Sequence, residues 1–182
     1  MLNISENRRA RKWSRKELVG RLLWQAVAFL FRYSPRLCWG WRVLLLRLFG
    51  ATIGKNVRID PTARIFIPWN LVIDDWTSIG FDVLVYNLGK VTLGKQVTIS
   101  QRSHLCAGTH DHRDPAMPLL KCTIEIQDGC WVCADAFIGP NVVVGEKSVV
   151  GARAVVTKSF GPSLIVVGNP CRVIGPREFH AG

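Results

Sequence analysis

An aliphatic residue recurs every six positions through most of the chain after residue 50. Two steps of eight residues interrupt the series before residue 105, and a longer break precedes Ile126. Ile, Val and Leu make up 51 of the 182 residues, so chance does not explain their presence at every one of these positions. The fifteen positions are Ile53, Ile59, Ile65, Ile73, Ile79, Val85, Leu93, Ile99, Leu105, Ile126, Val132, Ile138, Val144, Val150 and Val156.

A period of six fits neither of the common secondary structures. It divides poorly by the 3.6 residues of a helical turn, and it is longer than the two-residue alternation of a strand. A fixed short period is typical of a solenoid, in which each repeat packs only on its neighbours. We therefore predict short strands joined by corners, three to a coil, with the aliphatic side chains stacked inside.

Small residues mark the corners of the predicted coil. The position after the aliphatic residue is often glycine, as at Gly54, Gly94 and Gly145, and we expect tight corner torsions to require it. The fifth position of each repeat is usually small or β-branched. Cys130 and Cys133 fall on a fifth and a second position, so we interpret their C-x-x-C spacing as structural rather than as a zinc or redox motif.

The positive charge is concentrated before the repeats. The chain carries a net charge of +11, and residues 1–50 hold 11 Lys and Arg against 2 Asp and Glu. A nucleic-acid-binding domain more often carries such charge on its folded part, so we predict no nucleic-acid partner. The uncharged run 22–31 is shorter than the roughly 20 residues of a spanning helix, and no cleavage site follows it. We predict a cytoplasmic protein with reduced cysteines.

Residues 1–50 are predicted to form a basic amphipathic helical arm. Tryptophan, phenylalanine and leucine are interspersed there with Arg and Lys. A helix of this kind suits the surface of an anionic membrane. The alternative is that its apolar face packs against the repeats, and the two interpretations can hold for different faces.

The break in the repeat holds the strongest catalytic candidate, His110. It is the sixth residue of the last repeat before the break, and the segment 111–123 contains prolines that cannot continue the coil. We expect that segment to loop outward, with the histidine facing a cleft beside it. Imidazole titrates near neutral pH and can act as a general base. His112 is a less favoured candidate for the base, and His104 is expected to be structural.

The repeats and the C-terminal motifs resemble the hexapeptide-repeat acyltransferases. The chain has IQDGCWVCADAFIGPNVVVGEKSVVGARAVVTK and VGNPCR where the galactoside, maltose and nodulation O-acetyltransferases have an I-G-x-x-x-W-I-G unit, V-T-K and G-x-P-x-R. The resemblance implies an all-β solenoid, a left-handed parallel β-helix of about five coils, over residues 51–160. It places the arm, residues 1–50, before the coils. After the coils it places a tail, residues 161–182, that completes the coenzyme A site.

The same resemblance implies the residues of the active site. His110 would be the general base, and no metal is expected. The cations among the predicted coenzyme A ligands suit the phosphates of its nucleotide end. These predicted ligands are Trp131, Ala134, Ala152, Thr157, Lys158 and Arg172.

A narrower likeness links the chain to the colanic-acid-type O-acetyltransferases of exopolysaccharide assembly. It rests on RLFGATIGKNVRIDPTARIFIPWNL, VYNLGKVTLGKQVTIS and LCAGTHD. It implies transfer of an acetyl group from acetyl-CoA to a sugar hydroxyl by a homotrimer whose adjacent subunits share each site. The acceptor would be a sugar or a lipid-linked saccharide at the inner membrane face, in contact with Asn87 and Asp111, and Asp111 has the alternative role of orienting His110.

Two other functions compete with this interpretation. The coil could be a non-catalytic scaffold in a membrane complex, which would bind no acetyl-CoA. It could also be a zinc enzyme similar to the gamma-class carbonic anhydrases, although the spacing of His104, His110 and His112 does not match the three ligands of that class.

Overall fold

The computed structural model describes residues 3–179, and helices occupy the first part of that range. They are α1 (Ile4–Arg9), α2 (Arg15–Arg32) and α3 (Trp39–Leu48). A capping box starts α2: the Ser14 hydroxyl accepts the Glu17 N–H, and the Glu17 carboxylate accepts the Ser14 N–H. None of the described helices is both long and apolar enough to cross a bilayer.

The inner faces of α2 and α3 cover the first coil. Trp24 and Phe31 of α2 and Leu46 of α3 are buried in the same apolar cluster as the coil interior. The indole Nε1 of Trp24 also donates to the carbonyl of Ile65, at 2.8 Å. The interpretation that the arm packs on the repeats is therefore confirmed for this face.

After α3, the regular structure of the described chain consists of short strands and one 3₁₀ turn, Pro68–Asn70, joined by turns. The strands are β1 (Thr52–Ile53), β2 (Arg58–Ile59), β3 (Arg64–Ile65), β4 (Leu71–Ile73), β5 (Ser78–Ile79), β6 (Leu84–Tyr86), β7 (Val91–Leu93), β8 (Thr98–Ile99), β9 (His104–Cys106), β10 (Gly108–His110), β11 (Leu119–Lys121), β12 (Ile124–Ile126), β13 (Trp131–Val132), β14 (Phe137–Ile138), β15 (Val142–Val144), β16 (Val149–Val150), β17 (Val155–Val156), β18 (Leu164–Val167) and β19 (Arg172–Pro176).

The strands form three parallel sheets that wrap around one axis. The first sheet has the order β1-β4-β7-β12-β15, the second β2-β5-β8-β13-β16-β18-β19, and the third β3-β6-β9-β14-β17. Each coil contributes one strand to each sheet, so the cross-section has three sides. Within these three sheets, all pairs are parallel except β18 with β19, because successive coils run in the same direction.

The interior of the coil is a set of stacked aliphatic columns. In the first sheet, Ile53 is aligned with Ile73, and Ile73 with Leu93, on successive coils. All fifteen predicted repeat positions are buried. Burying one such side chain completely stabilises the fold by about 1.5–3 kcal/mol relative to leaving it exposed. The predicted aliphatic core is confirmed.

Five coils are complete and a sixth begins. Phe160 forms an isolated bridge with Val144, and β18 adds to β16 in the second sheet. The coil therefore extends beyond residue 160, where we expected the tail to start. The antiparallel strand β19 then covers the outer edge of β18.

Glycine occupies the second repeat position because a side chain there would collide with the backbone of the next coil. We expected tight backbone torsions to be the reason, and that expectation is wrong. Gly54 and Gly94 do not have positive φ angles. A Cβ at Gly54 would lie 2.7 Å from the backbone nitrogen of Asp75, and one at Gly94 would lie 2.9 Å from that of Asp128. The left-handed torsion falls two residues later, as at Asn56, where φ is 55°.

The predicted excursion between the third and fourth coils is a β-hairpin. Strands β10 and β11 pair antiparallel, with His110 opposite Leu119. The chain leaves the coil after Ala107, whose carbonyl accepts the N–H of Cys122 where the hairpin returns. The hairpin therefore starts earlier than the predicted loop at 111–123, because its two arms satisfy each other's backbone groups. His110 lies on the outgoing strand rather than at a corner of the coil.

Candidate functional site

His110 lies exposed near the end of β10, where its ring faces the turn of the hairpin. Its Nδ1 is 2.6 Å from the carbonyl oxygen of Met117. A carbonyl only accepts hydrogen bonds, so the proton of the neutral imidazole resides on Nδ1. The other nitrogen, Nε2, then has a free lone pair, which is the state that a general base requires.

The group that orients His110 is a backbone carbonyl that sequence reasoning missed. Met117 has a φ of 47°, in the left-handed region that side-chain-bearing residues rarely adopt. Its N–H donates to the carbonyl of Asp114 within the turn. A backbone carbonyl has no residue type of its own, so no motif could have pointed to it.

The Asp111 carboxylate is directed to the hairpin turn. Its Oδ1 accepts the N–H of Arg113 at 3.0 Å and lies 3.6 Å from the Arg113 guanidinium. The orienting contact to His110 comes from Met117, and the acceptor role of Asp111 stays a prediction. His112 lies in the same turn, exposed.

Asn87 is fully buried in the turn that follows β6. Its Oδ1 accepts the N–H of Ile67 at 2.9 Å, and its Nδ2 donates to the Ile67 carbonyl at 2.6 Å. Both halves of the amide are therefore used to tie two successive coils together. This placement favours a structural role, and contact with an acceptor stays a prediction.

His104 packs on the outer side of the third sheet. Its ring meets Phe137 edge-on, with the ring centroids 5.3 Å apart. Burial lowers the pKa of His104, because the charged imidazolium is less well solvated there. A half-buried, neutral ring packed on an aromatic neighbour fits the structural role that we expected.

Three of the cysteines, Cys106, Cys130 and Cys133, are unsuited to nucleophilic chemistry. Burial raises the pKa of the Cys130 thiol to about 11, and it also raises the pKa values of Cys106 and Cys133. A nucleophilic cysteine needs the thiolate, so these shifts oppose reactivity. Within residues 3–179, no three His, Cys, Asp or Glu side chains are arranged to hold a metal ion.

The predicted coenzyme A ligands lie in two parts of the coil. The first group belongs to the second sheet and the turns after it: Trp131, Ala134, Ala152 and Arg172. Thr157 and Lys158 follow β17 of the third sheet, on the edge of the coil from which the hairpin also departs. We call this the hairpin edge, formed by the connections from the third sheet to the first, which are the turns 66–70, 87–90, 139–141 and 157–159 and the hairpin segment 107–123.

His110 and Trp131 are on opposite sides of the same chain. The hairpin edge joins the third and first sheets, so in a three-sided coil it is opposite the second sheet. The Trp131 side chain is 46% exposed on that sheet and donates from Nε1 to the Ser100 hydroxyl at 2.9 Å. The aliphatic core separates the two residues, so they cannot line one site within a single chain.

Parallel coils, stacked aliphatic residues and an N-terminal helical cover define a parallel β-helix protein. The family described as bacterial transferase hexapeptide (six repeats) matches residues 123–158. A protein of Escherichia coli (strain K12), named as the colanic acid biosynthesis acetyltransferase WcaF, is 44% identical over 156 residues, which are 86% of each chain.

Two solved structures share the fold. A maltose O-acetyltransferase from Clostridium difficile 630 has a TM-score of 0.82 at 23% identity, covering 91% of this chain and 90% of that one. A hexapeptide-repeat-containing acetyltransferase of Vibrio cholerae, complexed with acetyl coenzyme A, has a TM-score of 0.82 at 24% identity and covers 93% of each chain. The chain belongs to the hexapeptide-repeat acetyltransferases, and the predicted fold class and family are confirmed.

Proposed function

We propose that the protein transfers an acetyl group from acetyl-CoA to a sugar hydroxyl, with His110 as the general base. One observation supports this base above all: the hydrogen bond from His110 Nδ1 to the Met117 carbonyl leaves Nε2 free on an exposed side chain. The acetyl-CoA complex of the Vibrio cholerae acetyltransferase and the named activity of the maltose O-acetyltransferase support the donor and the reaction class.

The proposed reaction is direct transfer in a ternary complex. The acceptor oxygen attacks the thioester carbonyl carbon while His110 Nε2 takes its proton. The new C–O bond forms, the C–S bond breaks, and the imidazolium returns the proton to the coenzyme A thiolate. The Met117 carbonyl stabilises the imidazolium, because a charged donor makes the stronger hydrogen bond. The raised pKa values of the Cys106 and Cys130 thiols support direct transfer over an acyl-enzyme formed on either of them.

The proposed activity is tested by thiol release from acetyl-CoA in the presence of a panel of sugars and lipid-linked saccharides. Release that depends on a sugar would support the proposal. Thiol release that does not depend on a sugar would contradict the proposal, and so would the absence of thiol release with every sugar tested. The same reaction with a longer acyl-CoA measures the selectivity of the enzyme for acetyl-CoA as the donor.

We also propose a homotrimer in which adjacent subunits share each coenzyme A site. The position of His110 opposite Trp131 supports a shared site, since the hairpin edge of one copy can meet the second sheet of its neighbour. Lys158 and Arg172 are both exposed and would bind the phosphates of the nucleotide end. The small Ala134 and Ala152 lie in stacked turns, where the Arg153 N–H donates to the Ala134 carbonyl at 2.9 Å.

Mixing two inactive variants tests the shared site. His110→Ala and Trp131→Ala are each expected to lose turnover. When the two are unfolded together and refolded, about a quarter of the sites should combine intact residues from two copies, by random assembly. We expect activity to return to that order, measured by thiol release. A site within one chain would give no recovery, and wild type refolded in parallel controls for yield.

The proposed acceptor is a lipid-linked saccharide of exopolysaccharide assembly. The 44% identical relative named for colanic acid biosynthesis supports this class of acceptor. Asp111, half-buried at the hairpin turn, is the proposed acceptor-contacting residue, and Asn87, fully buried on the same edge, would support the acceptor site by holding its turn in place. An acceptor with a lipid anchor would favour an enzyme held at the cytoplasmic face of the inner membrane.

The outer face of α2 supports such a membrane contact. Successive apolar side chains at helical spacing point away from the coil, and Leu22 is 66% and Phe29 57% exposed. Exposed basic residues lie at both ends of the helix, where Arg15, Lys16 and Arg32 can reach anionic headgroups. The outer stripe, which we propose lies in the headgroup region, is Leu18, Val19, Leu22, Leu23, Phe29, Leu30 and Tyr33.

Vesicle flotation tests the membrane contact with two substitutions in the stripe. L22S/F29S is expected to reduce the fraction bound to anionic phosphatidylglycerol vesicles by about 10-fold or more, because two large apolar side chains no longer enter the bilayer. Point variants are preferable to deletion of the arm, since Trp24 and Phe31 of the same helix belong to the core.

Ile174→Ser is the matched control for flotation, because Ile174 is 64% exposed on β19, outside the arm. It should float as the wild type does. Equal flotation of L22S/F29S and wild type would contradict the membrane contact. A loss of oligomer mass in L22S/F29S would instead assign the stripe to contacts between copies of the chain.

A further inference from the structure

Helix α1 lies against the turn of the hairpin that carries His110, although the two are about 100 residues apart in sequence. The backbone N–H of Asn3 donates to the carbonyl of Pro115 at 2.8 Å. One turn further along α1, the side-chain amide of Asn7 donates to the carbonyls of Ala116, at 2.8 Å, and of Met117. The start of the chain therefore holds the backbone of the turn directly.

Asn7 is the buried residue of an otherwise exposed helix. Its side chain is 8% exposed, whereas the residues around it in α1 are exposed. A buried amide is costly unless its donors are used, and both known contacts of this amide are to the turn. Lys121 also joins the hairpin to the N-terminal arm. This residue of β11 forms an ion pair with Glu17 at 3.2 Å, and its Nζ lies 3.9 Å from the Trp13 ring centroid.

The Met117 carbonyl oxygen is shared by two donors. It accepts from His110 Nδ1 and from Asn7 Nδ2, and a carbonyl oxygen has two lone pairs for this purpose. The left-handed φ of Met117 persists only where surrounding contacts hold it. Asn7 supplies two of those contacts, on Met117 itself and on the preceding residue.

We propose that Asn7 is a positioning residue for His110, acting through the Met117 carbonyl. By fixing that oxygen, Asn7 keeps the proton of the imidazole on Nδ1 and directs the basic Nε2 toward the acceptor. Without the amide, the turn relaxes, the carbonyl moves away, and both neutral tautomers of His110 become populated. The link to catalysis rests on the proposed role of His110, whereas the effect on the tautomer does not.

The test uses the full-length chain with Asn7→Leu, which removes the amide at similar size. We expect kcat to fall by about 10-fold, as for loss of a group that orients a functional histidine. The KM for acetyl-CoA should stay within about 2-fold, because Asn7 touches no proposed coenzyme A ligand. In ¹⁵N-histidine NMR spectra, assigned with His110→Gln, the wild type should show the Nδ1-protonated tautomer and Asn7→Leu a mixture. Asn7→Gln, which keeps the amide, should restore part of both signals.

Asn3→Ala is the matched control, because it removes the side-chain cap of α1 but leaves the Asn3 backbone contact with the turn. It should change neither kcat nor the tautomer. An unchanged tautomer and kcat in Asn7→Leu would overturn the inference while leaving the role of His110 intact. Full turnover in His110→Gln would overturn the role of His110, and the NMR result would still decide whether Asn7 positions the ring.

Discussion

His110→Ala is expected to lower kcat by about 10²- to 10⁴-fold, the usual contribution of a general base. Without the imidazole, no group at this position takes the proton of the attacking hydroxyl. The dissociation constant for coenzyme A should stay within about 2-fold, since the predicted coenzyme A ligands are other residues. Thiol release gives kcat, and calorimetric titration with coenzyme A gives the binding constant.

His112→Ala is the matched control for this loss, because His112 is an exposed histidine in the same hairpin without the Met117 contact. Its kcat should stay within about 2-fold of wild type. If His112→Ala lost activity and His110→Ala kept it, the base would be His112. A parallel loss of coenzyme A binding in His110→Ala would point to a disturbed site rather than to a missing base.

Ile99→Ala is expected to destabilise the coil by about 2–5 kcal/mol, which is the range for truncating a buried aliphatic side chain. Ile99 is 1% exposed in β8 and stacks between Ile79 and Val132 of the adjacent coils. Its neighbours belong to a rigid column and cannot close the cavity that the truncation leaves. For a chain of this length we expect the thermal midpoint to fall by roughly 5–15 °C, measured by circular dichroism.

Thr98→Ala is the control for the interior, since Thr98 precedes Ile99 in the same strand but points to solvent. It should change stability by about 0.5 kcal/mol or less. Equal destabilisation by the two substitutions would contradict the assignment of inner and outer faces. Because the period of side chains along a strand is two, a register error would exchange the two results.

The coil could be predicted from sequence because each repeat carries the same local information. An aliphatic residue at every sixth position needs a buried column, and Ile53, Ile73 and Leu93 stack as that pattern predicts. The reason for glycine at the second repeat position could not be predicted from sequence, because the close approach of Gly54 to Asp75 involves residues about 20 positions apart. The sequence of a single repeat does not indicate where the backbone of the next coil lies.

The candidate site was predictable only where a side chain carries the proposed chemistry. His110 stood out as a titratable residue beside a break in the repeat, but its orientation depends on the backbone of Met117 and on Asn7 from the other end of the chain. Asn87 looked like a polar residue at the site edge, and its two hydrogen bonds to Ile67 form only when the coils stack. Contacts of this kind between distant segments have no local sequence pattern.

The closure of both ends of the second sheet limits how copies of this chain can associate. The arm covers the first coil, and β19 runs antiparallel along the outer edge of β18, so neither end offers a free parallel strand to another molecule. Uncapped solenoid ends are templates for end-to-end polymerisation. With those ends blocked, contact between copies is left to the flanks of the prism, where a head-to-tail interface forms a finite ring only if the rotation between neighbours closes.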